Sequence, residues 1–458
     1  MERKVGSPEP QIDHVNSGNE VEIPQRFRTH QPGLSNDVFK LIQELHKMDV
    51  RGGGNDRDSA ATQSSRRFWS TQPVLQLGET PVQNVNGPIQ PNPKPQDIRT
   101  EPYKLVDGFI WADLDIGGTA NNNSKHLHEV YELLSENYVE DDDNMFRFDY
   151  SEDFLRWALC PPNFKKNWHI GVRVAESNKL VGFISAIPAT IRIRDKTIET
   201  VEINFLCVHK KLRSKRMAPV LIKEITRRVN LAGIFQAAYT SGTLLPGVVG
   251  HCSYWHRSLN VKKLIDIKFS FLTQNMTIPR LTKLLRLPES TQTPGFRKMT
   301  PKDVPRALAL LTKYLKKFDL TQVFSREEFE HAFTPLDGVV QSFVVENTKS
   351  KQITDFCSFY LLPSTVVQHI NNPNYRTLLA AYSYYNVANE TSAIALMKDC
   401  LITARSMGCD VFNGLDLMEN DVFLKELKFG IGDGTLQYYL YNWQTQPMTN
   451  QKIGLVLL

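Results

Sequence analysis

The sequence predicts an α/β protein built as two packed modules of like topology, behind a tail with no core of its own. Three observations carry that expectation. The chain has 458 residues, 41% of them hydrophobic, enough for two or three domains with real cores. One order of elements (helix, hairpin, strand, helix, strand) is legible twice along it, as order rather than as residue identity. In the first pass, an apolar strand over 201–208 turns abruptly into the basic run 210–216 and then into a helical pattern. Strand, cationic loop, helix start: that sequence of parts builds an anion site, because the free N–H groups of a first helical turn face the loop.

Composition bounds the function. Fifty-four Lys and Arg against 49 Asp and Glu leave a net charge of +5, mild for this length, which does not by itself suggest a nucleic-acid protein. No run of 18 apolar residues predicts a membrane span, and Met1-Glu2-Arg3-Lys4 does not open a secretory signal. Cysteines 160, 207, 252, 357, 400 and 409 lack CxxC spacing, so neither a disulfide framework nor a metal site is expected. A reducing, cytoplasmic location fits that usage.

Residues 1–65, rich in Pro, Gly, Ser, Asn and Gln, read as a disordered regulatory or targeting tail. Ser35 suits the cap of a short helix with Val38, Leu41, Ile42 and Leu45 on one face, either a docking helix or a transient one. After Phe68-Trp69, six prolines between 81 and 102 hold an extended connector that suits wrapping a folded body. The first pass then runs: helix 124–138, an acidic loop, a hairpin of 169–174 and 180–193 turning at Glu176-Ser177-Asn178, strand 201–208, a helix with Pro219 in its first turn, strand 234–240. The second begins where Thr300 caps a helix with Pro301 and Asp303 in its first turn. It continues with strands 339–345, 354–361 and 378–387, helix 391–407 and strand 411–417. A helix over 420–428, a glycine-rich turn over 429–434 and a strand over 436–443 follow. The end, Gly454-Leu455-Val456-Leu457-Leu458, is apolar, whereas chain ends normally fray as polar residues; its burial is expected.

Several motifs admit two readings. From 210 to 216, five of seven residues are cationic: a solvated face, a nucleic-acid patch, or, from its place between strand and helix, a phosphate loop. Cys207 and His209 lie two apart on a strand, as a nucleophile and base would; a buried thiol beside a polar strand end is the favoured reading. Asn204 and Thr240 are polar groups at the ends of adjacent strands, either hydrogen-bonding there or holding a substrate. Gly432 and Gly434 let the backbone pass close to a ligand or make a tight turn.

Glu202-Ile203-Asn204-Phe205-Leu206-Cys207-Val208-His209-Lys210 resembles the first signature of the protein N-myristoyltransferases. Lys428-Phe429-Gly430-Ile431-Gly432-Asp433-Gly434 resembles their second. The likeness extends through 140–150, 254–260 and the apolar end, covering about residues 66 to 458; the tail lacks the lysine-rich box of some animal members. It implies two tandem GNAT-like acyltransferase modules packed as one body, a CoA-binding module over 66–285 and a peptide-binding module over 286–458. It also implies transfer of myristate from myristoyl-CoA to an N-terminal glycine, without a metal or an acyl-enzyme.

The resemblance assigns roles to individual residues. Arg213, Ser214, Lys215, Arg216, Met217, Ala218 and Pro219 would hold the CoA, with Phe68 and Trp69 closing over it and Phe205 to Val208 (Phe205, Leu206, Cys207, Val208) alongside. Arg216 stands where GNAT loops usually carry glycine, which is tolerable if its backbone is ordinary. The N–H groups of Phe205 and Leu206 would form the oxyanion hole, freed by a splayed strand. Proton acceptors within the chain are His256, Asp433 and the acids 141–143; the family's answer is the main-chain carboxylate of Leu458, with Asn204 and Thr240 holding the amine. Tyr138, Val139, Asp141, Asp143, Phe148, Tyr254, His256, Tyr382, Asp433 and Gly434 would face the peptide. Implied partners are Gly-initiated, nascent chains, with ribosome or membrane association through the tail, no specific nucleic acid, and a monomeric enzyme. Other CoA-dependent N-acyltransferases and non-catalytic acyl-CoA-binding modules are the alternatives.

Overall fold

The structure is a computed structural model describing residues 67–118, 121–138, 145–367, 372 and 375–458, apart from the side chains of 121–124 and 214. The predicted tail helix, the acidic loop and the site residues Val139, Asp141 and Asp143 lie outside the described residues. In chain order the first half contains β1 (Phe109–Asp113), α1 (Asn121–Asn137), β2 (Phe146–Phe148), α2 (Glu152–Leu159), β3 (His169–Val174), β4 (Leu180–Ile193), β5 (Lys196–Val208), α3 (Met217–Leu231), β6 (Ala237–Ser241) and β7 (Val248–Ser258). Next come α4 (Val261–Asp266), α5 (Ile278–Leu284), β8 (Phe296–Lys298), α6 (Val304–Leu315), β9 (Leu320–Gln322), α7 (Arg326–Phe333), β10 (Val340–Glu346), β11 (Ile353–Val366), β12 (Thr377–Val387), α8 (Ala393–Ser406), β13 (Val411–Leu415), α9 (Asp421–Leu424), β14 (Gly430–Tyr441) and β15 (Ile453–Gly454).

One sheet runs through the described residues, ordered β1-β3-β4-β5-β6-β14-β7-β13-β12-β11-β10-β8. The predicted repeat is visible as two mirrored blocks, β3-β4-β5-β6 and β10-β11-β12-β13. Each ends in a parallel pair joined by a helix: β5 with β6 across α3, and β12 with β13 across α8. The hairpin turns at Asn178 in left-handed backbone, φ +57°, as a short polar residue there allows. Ser151 and Ser325 cap α2 and α7, and Thr300 with Asp303 forms the predicted capping box.

Three expectations need correction. The helix foreseen over 420–428 is only Asp421–Leu424. Gly432 and Gly434 are not a turn but part of β14, which shifts register between Ile431 and Thr435 as it pairs with β7. The close approach is real, since a Cβ on Gly432 would lie 2.4 Å from His256 Nε2. Finally, β7 was not anticipated as an element, because its sequence Val-Val-Gly-His-Cys-Ser-Tyr-Trp-His-Arg-Ser alternates too weakly to declare a strand. Its partners β13 and β14 come from more than 150 residues later, so β14 of the second half lies between β6 and β7 of the first.

The proline connector wraps the body as expected. Gly87 exchanges backbone hydrogen bonds with Gln444, and Trp443 Nε1 donates to Asn86 Oδ1 at 2.9 Å. The apolar end is buried: Leu455, Val456 and Leu457 are all under one-tenth exposed and belong to a core cluster that takes side chains from both halves.

Candidate active site

The site begins at a defect in the sheet. On β4, Phe183 faces Cys207 and Ser185 faces Asn204, so two residues of β5, Phe205 and Leu206, oppose one on β4. Phe205 adopts left-handed backbone, φ +54°. Beside this bulge β5 pairs with β6 only at 201–202 and then diverges from it. The splay expected from sequence is therefore present. Its walls enclose a cleft of about 500 Å³, which Trp69, Tyr138, Phe148, Asn204, Phe205, Leu206, Thr240, Tyr254, Tyr382 and Leu458 all line.

Leu458 reaches this cleft because the chain end is anchored link by link. Tyr438 Oη donates to Leu455 O at 2.9 Å, and Val456 N–H donates to Tyr385 Oη at 3.0 Å. Asn204 Nδ2 donates to a Leu458 oxygen. Glu202, two residues back on the same strand face, is buried, and the Leu458 backbone N–H is hydrogen-bonded to it. Burial lifts the Glu202 carboxyl to about 7, against that hydrogen bond. The Phe205 N–H donates to Asn204 Oδ1 at 2.9 Å, so one of the two foreseen oxyanion donors is held by its neighbour's side chain.

The basic loop forms a 3-10 turn over Lys210–Lys215. Lys210 N–H donates to Asn137 Oδ1 and Arg213 Nη2 to Asn137 O, fixing the loop against the end of α1. Arg216 corrects an expectation. Its backbone is left-handed, φ +55° and ψ +33°, the conformation glycine would take, at a cost of about 1–2 kcal/mol for a residue with a Cβ. The loop thus takes a glycine-like backbone shape at Arg216 while the side chain adds charge. Among the described residues no side chain caps α3, whose first-turn N–H groups lie beside exposed Arg213, Lys215 and Arg216. Met217 is buried; Ala218 and Pro219 are half-buried in the first turn. Trp69 stacks on Tyr239 at 6.0 Å and meets Phe68 edge-on at 5.1 Å.

Of the reactive-looking groups, Cys207 is buried with its thiol pushed up to about 12 by desolvation, and it does not line the cleft. His209 sits past the strand end, where its Nδ1 accepts from Lys211 N–H. Together they make no nucleophile and base. His256 stands apart from the cleft wall, hydrogen-bonded to Asn413 Oδ1 at 2.7 Å, its pKa lowered by burial. Asp433 and Gly434 are exposed, Asp433 close enough to oppose that lowering. Of the internal acceptors named from sequence, none among the described residues lines the cleft.

The chain matches the family model of the myristoyl-CoA:protein N-myristoyltransferase N-terminal domain over residues 88–252 and of the C-terminal domain over 266–456. The chain belongs to this family. It is similar to glycylpeptide N-tetradecanoyltransferase 2 of Danio rerio, 58% identical over 87% of this chain and 78% of that protein. It is 54% identical to the glycylpeptide N-tetradecanoyltransferase of Drosophila melanogaster, over 93% of this chain and 89% of the fly protein. The Saccharomyces cerevisiae N-myristoyltransferase with bound myristoyl-CoA superposes with TM-score 0.81 at 40% identity, covering 92% of this chain and 100% of the yeast chain. This N-myristoyltransferase is thus an acyltransferase, and its reaction class is myristoyl transfer to protein.

Sequence reasoning missed part of the site. Ile222, Thr226 and Val229 on α3 line the cleft, as do Tyr239, Tyr360 and Tyr441. The α3 residues were signalled by their three- and four-residue spacing beside the basic loop. Glu202 was also missed, although a glutamate inside an apolar strand is itself a signal.

Proposed function

We propose that this enzyme transfers myristate from myristoyl-CoA to the N-terminal glycine amine of proteins by direct attack, with the Leu458 carboxylate as base. The observation that carries this reading is the position of Leu458: a half-buried α-carboxylate beside Asn204 at the wall of a largely apolar cleft. The nucleophile is an α-amine of pKa about 8, and a free α-carboxyl of about 3.5 is a poor match for its proton. Desolvation by Leu455, Val456 and Leu457 raises that basicity. Asn204 and Thr240, both at the cleft, hold the amine in line.

The Phe205 and Leu206 amides polarise the thioester carbonyl. For Phe205 to serve, its N–H leaves Asn204 Oδ1, which couples oxyanion formation to the same side chain that holds Leu458. One such donor is worth about 3–4 kcal/mol at the transition state. The cationic loop and the uncapped start of α3 receive the CoA phosphates, with Trp69 over the cofactor. Burial of the acyl chain supplies about 0.8 kcal/mol per methylene. Tyr138, Phe148, Tyr254 and Tyr382 form the peptide wall. On this reading residues 66–285 bind the acyl-CoA and 286–458 complete the peptide site. The enzyme works as a cytoplasmic monomer on Gly-initiated nascent chains, with residues 1–65 addressing it to ribosomes or membranes. No helix of the described residues is long and apolar enough to cross a membrane.

The test uses myristoyl-CoA with a Gly-initiated peptide. The full chain turns over, and a chain lacking Leu457 and Leu458 loses at least about 10²-fold in kcat while still binding acyl-CoA. Undiminished turnover by the truncated chain rules out the carboxylate base.

A further inference from the structure

The proposed reaction leaves one proton to be removed. The glycine amine enters mostly as ammonium. Its nitrogen loses two protons as the N–C bond forms and the C–S bond breaks. One of them ends on the departing CoA thiolate; the other has to leave a cleft that the acyl chain and peptide fill.

Leu458 lines two spaces at once. One is the cleft; the other, on its far side, is a smaller cavity of about 50 Å³, with room for water. Glu202 lines that second cavity. The two-residue period of β5 sets Glu202 and Asn204 on one face, where they bracket the chain end: Asn204 donates to the Leu458 carboxylate and Glu202 receives the Leu458 N–H. The far wall carries Gln322 and Glu328, both part-exposed, so this space leads from the carboxylate toward solvent.

We propose that Glu202 is a positioning carboxylate behind the catalytic one: it seats Leu458, takes over the proton that Leu458 receives, and releases it through the smaller cavity. The proposal rests on the reading of Leu458 as base. The groups facing Glu202 suit the task. From β12 come Tyr384 and Tyr385, whose hydroxyls burial keeps neutral. From α7 come Glu328, whose Oε2 accepts from Ser325 N–H, and His331, whose Nε2 bonds to Trp157 O and whose pKa burial lowers. Neither β4 neighbour at the cavity, Ile187 or Pro188, bears a charge. Among the described residues no cation near Glu202 pins it as a permanent anion, and a carboxyl near 7 exchanges a proton in both directions at neutral pH. When ionised it also raises the basicity of Leu458 by like-charge repulsion.

The test is Glu202→Gln in the full-length chain, because Gln still accepts the Leu458 N–H but carries no exchangeable charge. The expected result is a fall in kcat of roughly 10²-fold, with KM for peptide and for myristoyl-CoA within a few-fold. The acid limb of the kcat profile moves down by about one pH unit, and Glu202→Asp restores part of both effects. Unchanged kcat and pH profile in E202Q overturn the proposal, as does a change confined to KM and thermal stability. If E202Q does not accumulate folded, infrared difference spectra of the wild-type chain between pH 6 and 8 decide: a buried carboxylic-acid carbonyl band that disappears on raising pH supports the proposal, and no such band overturns it. Retained turnover after loss of Leu457 and Leu458 sinks the base reading itself; loss there with an unaffected E202Q sinks only the role of Glu202.

Discussion

The two halves of the molecule carry the same device, open in one and sealed in the other. Both hairpins contain the bulge: Phe205 and Leu206 on β5 correspond by register to Tyr384 and Tyr385 on β12, where Phe359 faces Ser383 and Cys357 faces Asn386. In the first half the bulge borders a cleft. In the second, Tyr385 N–H donates to Ser358 Oγ at 3.1 Å and Ser358 Oγ donates to Tyr385 O at 2.9 Å, so its polar groups are spent internally. The helix starts diverge likewise. Among the described residues no side chain caps the start of α3, whereas Ser392 caps α8 and the preceding amides converge on buried Asp355. Its carboxylate accepts from the N–H groups of Asn389, Glu390 and Thr391 at 2.7, 3.0 and 2.9 Å. A carboxylate of the chain itself sits where, on the proposed reading, the other half receives phosphate. A duplicated topology thus keeps its scaffold while one copy loses its vacancy.

The comparison is most sharply broken by emptying the sealed loop. Asp355→Ala strands three amides, and we expect a loss of about 3 kcal/mol in denaturant unfolding. Added sulfate or phosphate should then stabilise the variant more than the parent; equal stability of the two chains without anion would refute the plug. A second asymmetry lies three residues before the bulge, where the first half has Glu202 and the second, by register, Ala381. The raised carboxyl of Glu202 favours folding when protonated. Its contribution is complete below about pH 4.5, the unfolded value, and is lost as pH rises toward about 7, the folded one. That amounts to about 3 kcal/mol across the interval, read as the pH-dependent difference in stability between wild type and E202Q. The smallest effect separates the two helix starts. Arg213→Ala should weaken CoA binding by roughly tenfold, or about 1.4 kcal/mol, with little change in folding. Ser392→Ala should cost about 1 kcal/mol of stability and leave CoA affinity alone. Calorimetric titration with denaturation of both variants checks the pair.

Much of this was legible without coordinates. The hairpin over 169–193, the Thr300 cap and the burial of the last residues follow from local pattern, since periodicity and caps act within a few residues. The resemblance brought Phe205, Leu206, Asn204 and Leu458 together before the structure placed all four at one cleft. The ordinary backbone allowed for Arg216 was not found, because φ at a single loop residue is set by how the strand and helix on either side are docked.

Sequence alone determined the elements, their repeated order and the apolar chain end. Only the tertiary structure decided that β14 threads between β6 and β7, that glycines 432 and 434 belong to a strand, and that Glu202 meets Leu458. The physical reason is range. Hydrophobic periodicity and capping are local, whereas strand partners and the company of a buried carboxylate are chosen by the packing of the whole sheet, between residues hundreds of positions apart.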